Sequence, residues 1–499
     1  MSVIVLARIA VETTSPLAIY SGGRDLLASN ALARDWNGNP YLPSTSLTGV
    51  WRSVIDTLNE SAEWFGCLGS GKSDKNTRLA SRIAVSDGMM LDSHSRLPGR
   101  VDNGVFHAMS NCSSDKLYQK LSAGECGYER TSCRINSRKA NHSGSLFKNT
   151  MIPKGVRFAF DVKFDLDSRG DVDFCNKLMD CIGSESFTLG SKTANGFGTF
   201  RVIGRNTRTF VLEDYASDPK KMTEEIRSFI ASRDVVIECN KHSDIGEDNI
   251  RTWDFILESE GTMRIGTGKK TDGLSIKGPD DRDIDLMKFE TEFDYKNRNI
   301  QQCFTDSRLK WNGKEYDKEI SEFIIPGSTI KGIIAHRTMF HFLRRKKWFA
   351  DRRIREESDV RPQELVDKIL ENATPPEELE PFYQLFGKND PSDHKKMLAG
   401  SLKVRDAVIS CKGIINRMHN KIDRFTGAVM PSALFGQARL VDPSFRVHIS
   451  LNRSRKNRPD DDSDIMKAFE DTIYDLKNGF LNICAGSGRD TAVFSEKKK

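Results

Sequence analysis

The sequence predicts an α+β protein of two domains in tandem, each a ferredoxin-like sheet with helices on one face. Three observations predict it. The chain has 499 residues, more than one ordinary core accommodates. A set of short motifs occurs twice in the same order. Each half also carries a strand of strict period-two alternation and ends in a glycine-rich segment followed by a final apolar strand.

The repeat is read from its pairs. "PYLPSTSLTGVWRS" from Pro40 matches "EFIIPGSTIKGIIAHR" from Glu322, with Pro43 opposite Pro326. "WFGCLG" around Gly66 matches "QLFGKN" around Gly387, and "SRIAVSD" ending at Asp87 matches "SLKVRD" ending at Asp406. "VRFAFDVKFDL" places Val156, Phe158, Phe160, Val162 and Phe164 on one face, and "FRVHISL" does the same with Phe445, Val447, Ile449 and Leu451. Both read as half-buried strands. "LGSKTANGFGTFRV" from Leu189 and "CAGSGRDTAVF" from Cys484 close the halves. The first domain is therefore 1–205, a linker covers 206–250, and the second domain is 251–499. Unequal spacing within the repeat marks a Cys/His-containing insertion at about 88–135 and a helical insertion at about 336–382. The latter holds "HFLRRKKWFADRRIR", whose basic residues read as a solvated helix face and whose aromatics read as packing.

Composition excludes several classes. The chain is 37% hydrophobic and 29% charged, without a run of 18 apolar residues or a basic-apolar leader at "MSVIVLARIAVETT". A cytoplasmic protein without membrane association is the expectation. Lys and Arg number 76 against 70 Asp and Glu, a net charge of +6, so nucleic-acid binding has to come from clustered rather than overall charge. Ten cysteines in such a chain read as reduced thiols or metal ligands, not a disulfide framework.

In "IIPGSTIKG" the Pro-Gly pair breaks a strand, Ser328 or Thr329 caps a helix, and Ile330, Ile333 and Ile334 face inward. The helix N-terminus then points outward, where free N–H groups suit a phosphate, with Lys331 as a mobile cation one turn in. The first copy keeps Ser44, Thr45 and Ser46, has Thr48 in place of the lysine, and offers Arg52. The glycine segments read either as tight turns or as phosphate-contacting loops.

These motifs, with "HNKIDRFTGAVMPSALF" at His419–Phe435, resemble the RAMP superfamily, and within it the backbone subunits of type III CRISPR interference complexes. The resemblance spans most of both halves, like two such subunits fused head to tail. It implies a modified RNA-recognition-motif fold and a filament-like arrangement along a guide RNA (crRNA). It also implies Mg²⁺-dependent cutting of the complementary target RNA, and partnership with other CRISPR effector subunits. A guide of any sequence is best gripped by its phosphates and sugars. The residues expected to do so are Ser44, Ser46, Arg52, Lys192 and Asn195 in the first half, and Ser328, Lys331, Arg424, Gly486 and Gly488 in the second.

The family's essential aspartate lies in a loop before the Pro-Gly-Ser turn. "QQCFTDSRLKWNGK" puts Asp306 there. In the first half "LLASNALARDWNGN" puts Ala28 to Ala31 at that place, none of which ionises, leaving Asp25 and Asp35 as the nearest carboxylates. One carboxylate suffices for a hydrated Mg²⁺, which takes few protein ligands. Two other readings stand beside this one: a scaffold that binds RNA without cutting it, and a guide-precursor ribonuclease using His336 or His419 as general base. Finally, His107, Cys112, Cys126 and Cys133 in the first insertion supply one imidazole and three thiolates for a structural Zn²⁺. The spacing H-x4-C-x13-C-x6-C also fits unrelated reduced cysteines.

Overall fold

The computed structural model describes residues 2–22, 30–56, 64–66, 80–98, 114–122, 128–135, 141–167, 171–238, 249–271, 300–347, 379–388, 398–430, 435–453, 458–483 and 492–497. The chain forms two units, Met1–Ile250 with Ser307–Ile320 and Arg251–Asp306 with Ser321–Lys499. Both are mixed α/β with mainly antiparallel sheets. Among the described residues no helix is long and apolar enough to cross a membrane.

In the first unit the strands are β1 (Val3–Thr13), β2 (Tyr41–Leu42), β3 (Ile83–Val85), β4 (Gly88–Met90), β5 (Glu129–Ile135), β6 (Asn141–Thr150), β7 (Arg157–Leu166) and β8 (Phe200–Val211). The helices are α1 (Ser44–Asp56), α2 (Lys116–Leu121), α3 (Val172–Asp180) and α4 (Pro219–Ala231). The main sheet runs β2-β4-β7-β1-β8, with β3 also on β7, and β5 and β6 form a separate hairpin. β1 is central because both its faces are apolar. Val3, Val5, Ala7, Ile9 and Val11 meet the phenylalanines of β7 in the core under α1 and α3. Trp51 of α1 locks that layer, donating to Leu178 O at 2.8 Å and packing edge-on to Phe65 and Phe164.

The half-buried β7 expected from alternation is instead buried on both faces over most of its length. Leu6 and Phe210 lie under Phe229 of α4, while Ala10, Ala159 and Ile203 lie under Leu91, Leu97 and Val235. The stretch 206–250, expected as a linker, thus supplies the end of β8 and this cover. Asp218 caps α4 with Pro219 in its first turn. Arg8 pairs with Asp161 and donates to Ile230 O in the last turn of α4 and to Ser232 O just beyond it, fixing the cover to the sheet.

Residues 307–320 belong by order to the second half and by packing to the first unit. Leu309 joins its core, and its N–H donates to Lys154 O at 2.8 Å. Trp311 Nε1 donates to Gly155 O at 2.7 Å, with the Arg157 guanidinium 4.0 Å above the ring. Gly155 has φ of +90°, and a Cβ there would lie 2.4 Å from Leu309 O, so only glycine admits this approach. Glu319 receives the Tyr128 hydroxyl at 3.0 Å and pairs with Lys120.

The remaining strands are β9 (Ile250–Glu258), β10 (Thr262–Met263), β11 (Gly266–Thr271), β12 (Ile300–Cys303), β13 (Thr305–Asn312), β14 (Glu315–Ile325), β15 (Leu402–Val404), β16 (Ala407–Ser410), β17 (Gly413–His419), β18 (Phe435–Val441), β19 (Ser444–Asn452) and β20 (Ser495–Glu496). The helices are α5 (Gly327–Arg345), α6 (Glu380–Phe386) and α7 (Asp464–Lys477). One sheet runs β13-β14-β16-β19-β9-β20 with β15 on β19; a second runs β10-β18-β12-β11 with β17 on β18. β19 keeps the alternation read from the sequence: Phe445, Val447, Ile449 and Leu451 are buried against α7, while Arg446 is exposed. α5 and α7 are joined by Thr338–Thr472, by Arg337 to Asp475 at 2.6 Å and by His341 Nε2 to the same carboxylate at 2.7 Å. α5 continues unbroken through Arg345, past the position where the sequence comparison opens an insertion.

Candidate nucleic-acid interface

The two helices that follow the Pro-Ser and Pro-Gly breaks begin in the same way. Ser44 N donates to Asp87 Oδ1 at 2.7 Å, and Gly327 N donates to Asp406 Oδ1 at 2.6 Å. The next acceptor is the preceding proline. Pro43 O takes the amides of Ser46 and Leu47, and Pro326 O takes those of Thr329 and Ile330. Of the first four amides of each helix, those of Thr45 and Ser328 remain without an acceptor among the described residues. The repeated aspartates, visible in the sequence only as strand ends, are therefore helix caps. Their charge already answers the positive end of the helix dipole. A phosphate at either helix meets one amide and the neighbouring hydroxyls, not an open N-terminus.

Lys331 corrects a second expectation. It lies on the inward stripe of α5 with Ile330, Ile334, Thr338 and Phe342, is 8% exposed, and donates Nζ to Leu402 O at 3.1 Å. The stem packs and the ammonium reaches a carbonyl, so it is no mobile outward cation. Ser328 is exposed, and Ser44, Ser46 and Arg52 are half-buried.

The glycine segment 190–198 is a tight turn that also presents side chains. Ser191 N donates to Ala18 O and Gly198 N to Pro16 O, binding the loop to the segment after β1. Gly198 has φ of +76°, and a Cβ on it would sit 1.9 Å from Leu189 O. Between the glycines, Lys192 takes a left-handed φ of +62° and holds Nζ 5.1 Å from the centre of the Phe147 ring. Burial, and then the charge of Arg130, pull its pKa down to about 8. Asn195 is half-buried in the same turn, its amide on Lys192 O. Gly486 and Gly488 of the second loop lie outside the described residues.

Between β17 and β18 the chain projects a tip. Ile422 bridges Val429, and Asp423 Oδ1 accepts from Phe425 N at 2.8 Å and Thr426 N at 2.9 Å. The amides of Thr426 and Phe425 hold that carboxyl below the usual range. This turn points Arg424 and Phe425 into solvent, with Phe425 99% exposed. Sequence reasoning named the arginine and missed the aromatic. The available signal was an apolar ring inside an Asp-x-x-Thr-Gly turn, a place with no core to fill. At the base of the hairpin His419 stacks on Phe435 with ring centres 5.3 Å apart, while His336 is exposed on α5.

Asp306 is half-buried and stands second in strand β13, not in a loop. Asp35 spends one carboxylate oxygen on a turn, accepting from Asn37 N at 2.8 Å and Asn39 N at 2.9 Å. Burial pushes its pKa upward against those two bonds. Asp25 lies outside the described residues, as do His107, Cys112 and Cys126 of the zinc set; Cys133 is half-buried on β5. Among the described residues no group of three His, Cys, Asp or Glu side chains is placed to hold a metal ion. The oxygen donor at Asp306 is of the hard type that a largely hydrated Mg²⁺ takes, and such an ion does not need a three-ligand cage.

No curated protein matches the chain. The sequence profile of the RAMP superfamily matches residues 10–201 and 257–489, one region in each half and together most of the length. The chain belongs to the RAMP superfamily, with its repeated plan accounting for both matched regions.

Proposed function

We propose that this chain is an RNA-binding backbone subunit of a type III CRISPR effector, holding a guide RNA along both halves and cutting the paired target RNA from the second. The family supports the coarser part, a CRISPR-associated subunit that binds RNA. The observation that carries the reading is the hairpin tip. A fully solvated phenylalanine beside an arginine, on a turn tied by two backbone hydrogen bonds to Asp423, has no packing role and suits a base and a phosphate. The covered sheet of the first unit agrees, because it leaves loops and hairpins rather than an open strand surface for RNA.

For cleavage, the ribose 2′-OH has to lie in line with its neighbouring phosphate. Gripping the backbone on either side while leaving the bases to pair is what the chain's amides, hydroxyls and cations do. A hydrated Mg²⁺ at Asp306 would supply the Lewis acid for developing charge. Asp306 is the chain's own contribution to that ion, and the first half, with Asp35 committed to a turn, acts as a cradle.

The test is binding of a labelled single-stranded guide-length RNA by the full chain. Phe425→Ala should weaken binding by about 5- to 100-fold, the worth of one stacked base. Arg424→Ala should weaken it across sequences and lower the salt slope by about one. Wild-type affinity and slope in both variants would overturn the reading.

A further inference from the structure

The two units share one strand plan and differ in what covers the outer face of the sheet, the face turned away from the core helices. Strands β2-β4-β7-β1-β8 of the first unit match β14-β16-β19-β9-β20 of the second, and β3 lies on β7 as β15 lies on β19. The registers fix the correspondence. Met90 stands opposite Phe158 and Ile409 opposite Phe445, while Val85 stands opposite Val162 and Val404 opposite Ile449. Phe158 thus matches Phe445, Ala159 matches Arg446, and Asp161 matches His448. In the first unit Ala159 and Ala10 are buried beneath Leu91, Leu97 and Val235. In the second, the Arg446 side chain stands at the place of Ala159 and is 70% exposed. Alternation with the core residues Phe255, Leu257, Ile409 and Phe445 puts Asp254, Ile256, Val408 and Arg446 on this outer face. Ile256 is 42% exposed and Val408 38%.

Each outer face carries an arginine gripped by an aspartate of the neighbouring strand. Arg8 is held by Asp161 at 2.7 Å, and its Nη atoms donate to Ile230 O at 3.3 Å and Ser232 O at 2.5 Å, where α4 ends. Arg446 is held in the same manner, Nε to Asp254 Oδ1 at 2.5 Å, with His448 Nδ1 2.9 Å from the other oxygen of that carboxylate. Its Nη atoms have no acceptor among the described residues. One edge of the guanidinium is therefore fixed and the other is left to solvent. The last carbonyls of a helix lack intrahelical donors and carry the negative end of its dipole, which is what Arg8 receives and what Arg446 lacks. A long cation in the place of a buried alanine bars a cover that lies directly on the sheet, so an occupant has to bring its acceptors down onto Arg446.

We propose that the outer face of β16, β19 and β9 receives the C-terminal turn of a helix from a companion protein. The last carbonyls of that helix accept from the Nη atoms of Arg446, and its apolar side chains cover Ile256 and Val408. The first unit shows the occupant's chemistry, because there the chain's own α4 ends on Arg8. This rests on the reading of the chain as a subunit of a complex and adds the place and kind of one partner.

The experiment puts a photo-crosslinking amino acid at position 256 of the full chain, assembles it with guide RNA and its companion subunits, and identifies the attached peptide. Attachment to the last turn of a helix in a companion protein is expected. That protein, purified and titrated against the full chain, should bind Arg446→Ala about 10- to 100-fold more weakly than wild type, the worth of hydrogen bonds from a charged donor. Arg446→Lys should not restore it, since an ammonium cannot hold Asp254 and two carbonyls in the fixed geometry of a guanidinium. Both positions are exposed, so neither change should move the thermal midpoint by more than a few degrees. Equal affinity of the companion for wild type and Arg446→Ala would overturn the proposal. So would attachment to RNA, to a second copy of this chain, or to nothing while the same preparation holds its guide RNA, and in these cases the RNA reading stands. A chain that neither binds RNA nor assembles removes that reading and the proposal with it.

Discussion

Asp306→Ala, assembled with a guide RNA and its companion subunits, is expected to bind complementary RNA as the wild type does and to yield no metal-dependent cleavage product. On the reading proposed above, Asp306 takes the role of the family's aspartate, and the first half has no ionisable residue between Ala28 and Ala31. Because Mg²⁺ keeps most of its waters and takes few protein ligands, losing one carboxylate at such a site removes the ion's anchor rather than weakening it. Asp306→Asn separates the charge from the shape: it keeps the side-chain volume at a half-buried strand position and should be as inactive as alanine. End-labelled target RNA with Mg²⁺ or EDTA reads the outcome. If alanine and wild type give the same products, Asp306 is structural and the chain is a scaffold for cutting done elsewhere.

The largest stability effect is expected at Glu12, far from any proposed chemistry. Glu12 is 6% exposed and takes Arg157 Nε at 3.0 Å and Arg201 at 2.7 Å. Arg157, itself 4% exposed, is pulled below its ordinary pKa by burial and held charged chiefly by Glu12. Removing the carboxylate leaves a buried guanidinium with, among the described residues, Ser95 Oγ, Gly313 O and the Trp311 ring to answer it. Breaking one side of a buried ion pair costs about 3–5 kcal/mol. Glu12→Ala should therefore lower the denaturant midpoint markedly, and since Arg157 also holds the 307–320 segment, protease sensitivity there should rise with it. A loss below about 1 kcal/mol would show that the neighbouring carbonyl and hydroxyl suffice without Glu12.

The repeat was legible because its elements are set by local chemistry. Proline breaks a strand at 43 and 326, glycine admits a left-handed turn at 190 and 198, and alternation marks β7 and β19. What was not legible depends on residues distant in sequence. Asp87 and Asp406 read as strand ends because their bonds to helix amides join positions 43 and 79 residues apart. Lys331 read as outward because a cation in the first turn of a helix usually is, whereas in the fold it lies on the buried face of α5 and its ammonium donates to Leu402 O. The second cover on β1 and β7 comes from α4 and residues 233–238, a stretch whose composition resembles a linker. The assignment of 307–320 to the first unit rests on Leu309, Trp311 and the bare backbone of Gly155, a fit that no periodicity records. At the interface, residue types such as Arg424 and Lys192 could be named from the sequence, but the exposure of Phe425 and the placement of Lys192 over the Phe147 ring needed the folded hairpins.

The central claim is that both halves hold the same RNA through loops and hairpins. Photo-crosslinking of the full chain to a guide RNA, followed by identification of the modified peptides, tests it most directly. The account predicts attached nucleotides in the 190–198 loop and at Phe147 in the first half, and in the 422–429 tip in the second. Crosslinks confined to one half, or gathered on exposed sheet residues such as Arg446 with none on these loops, would contradict it.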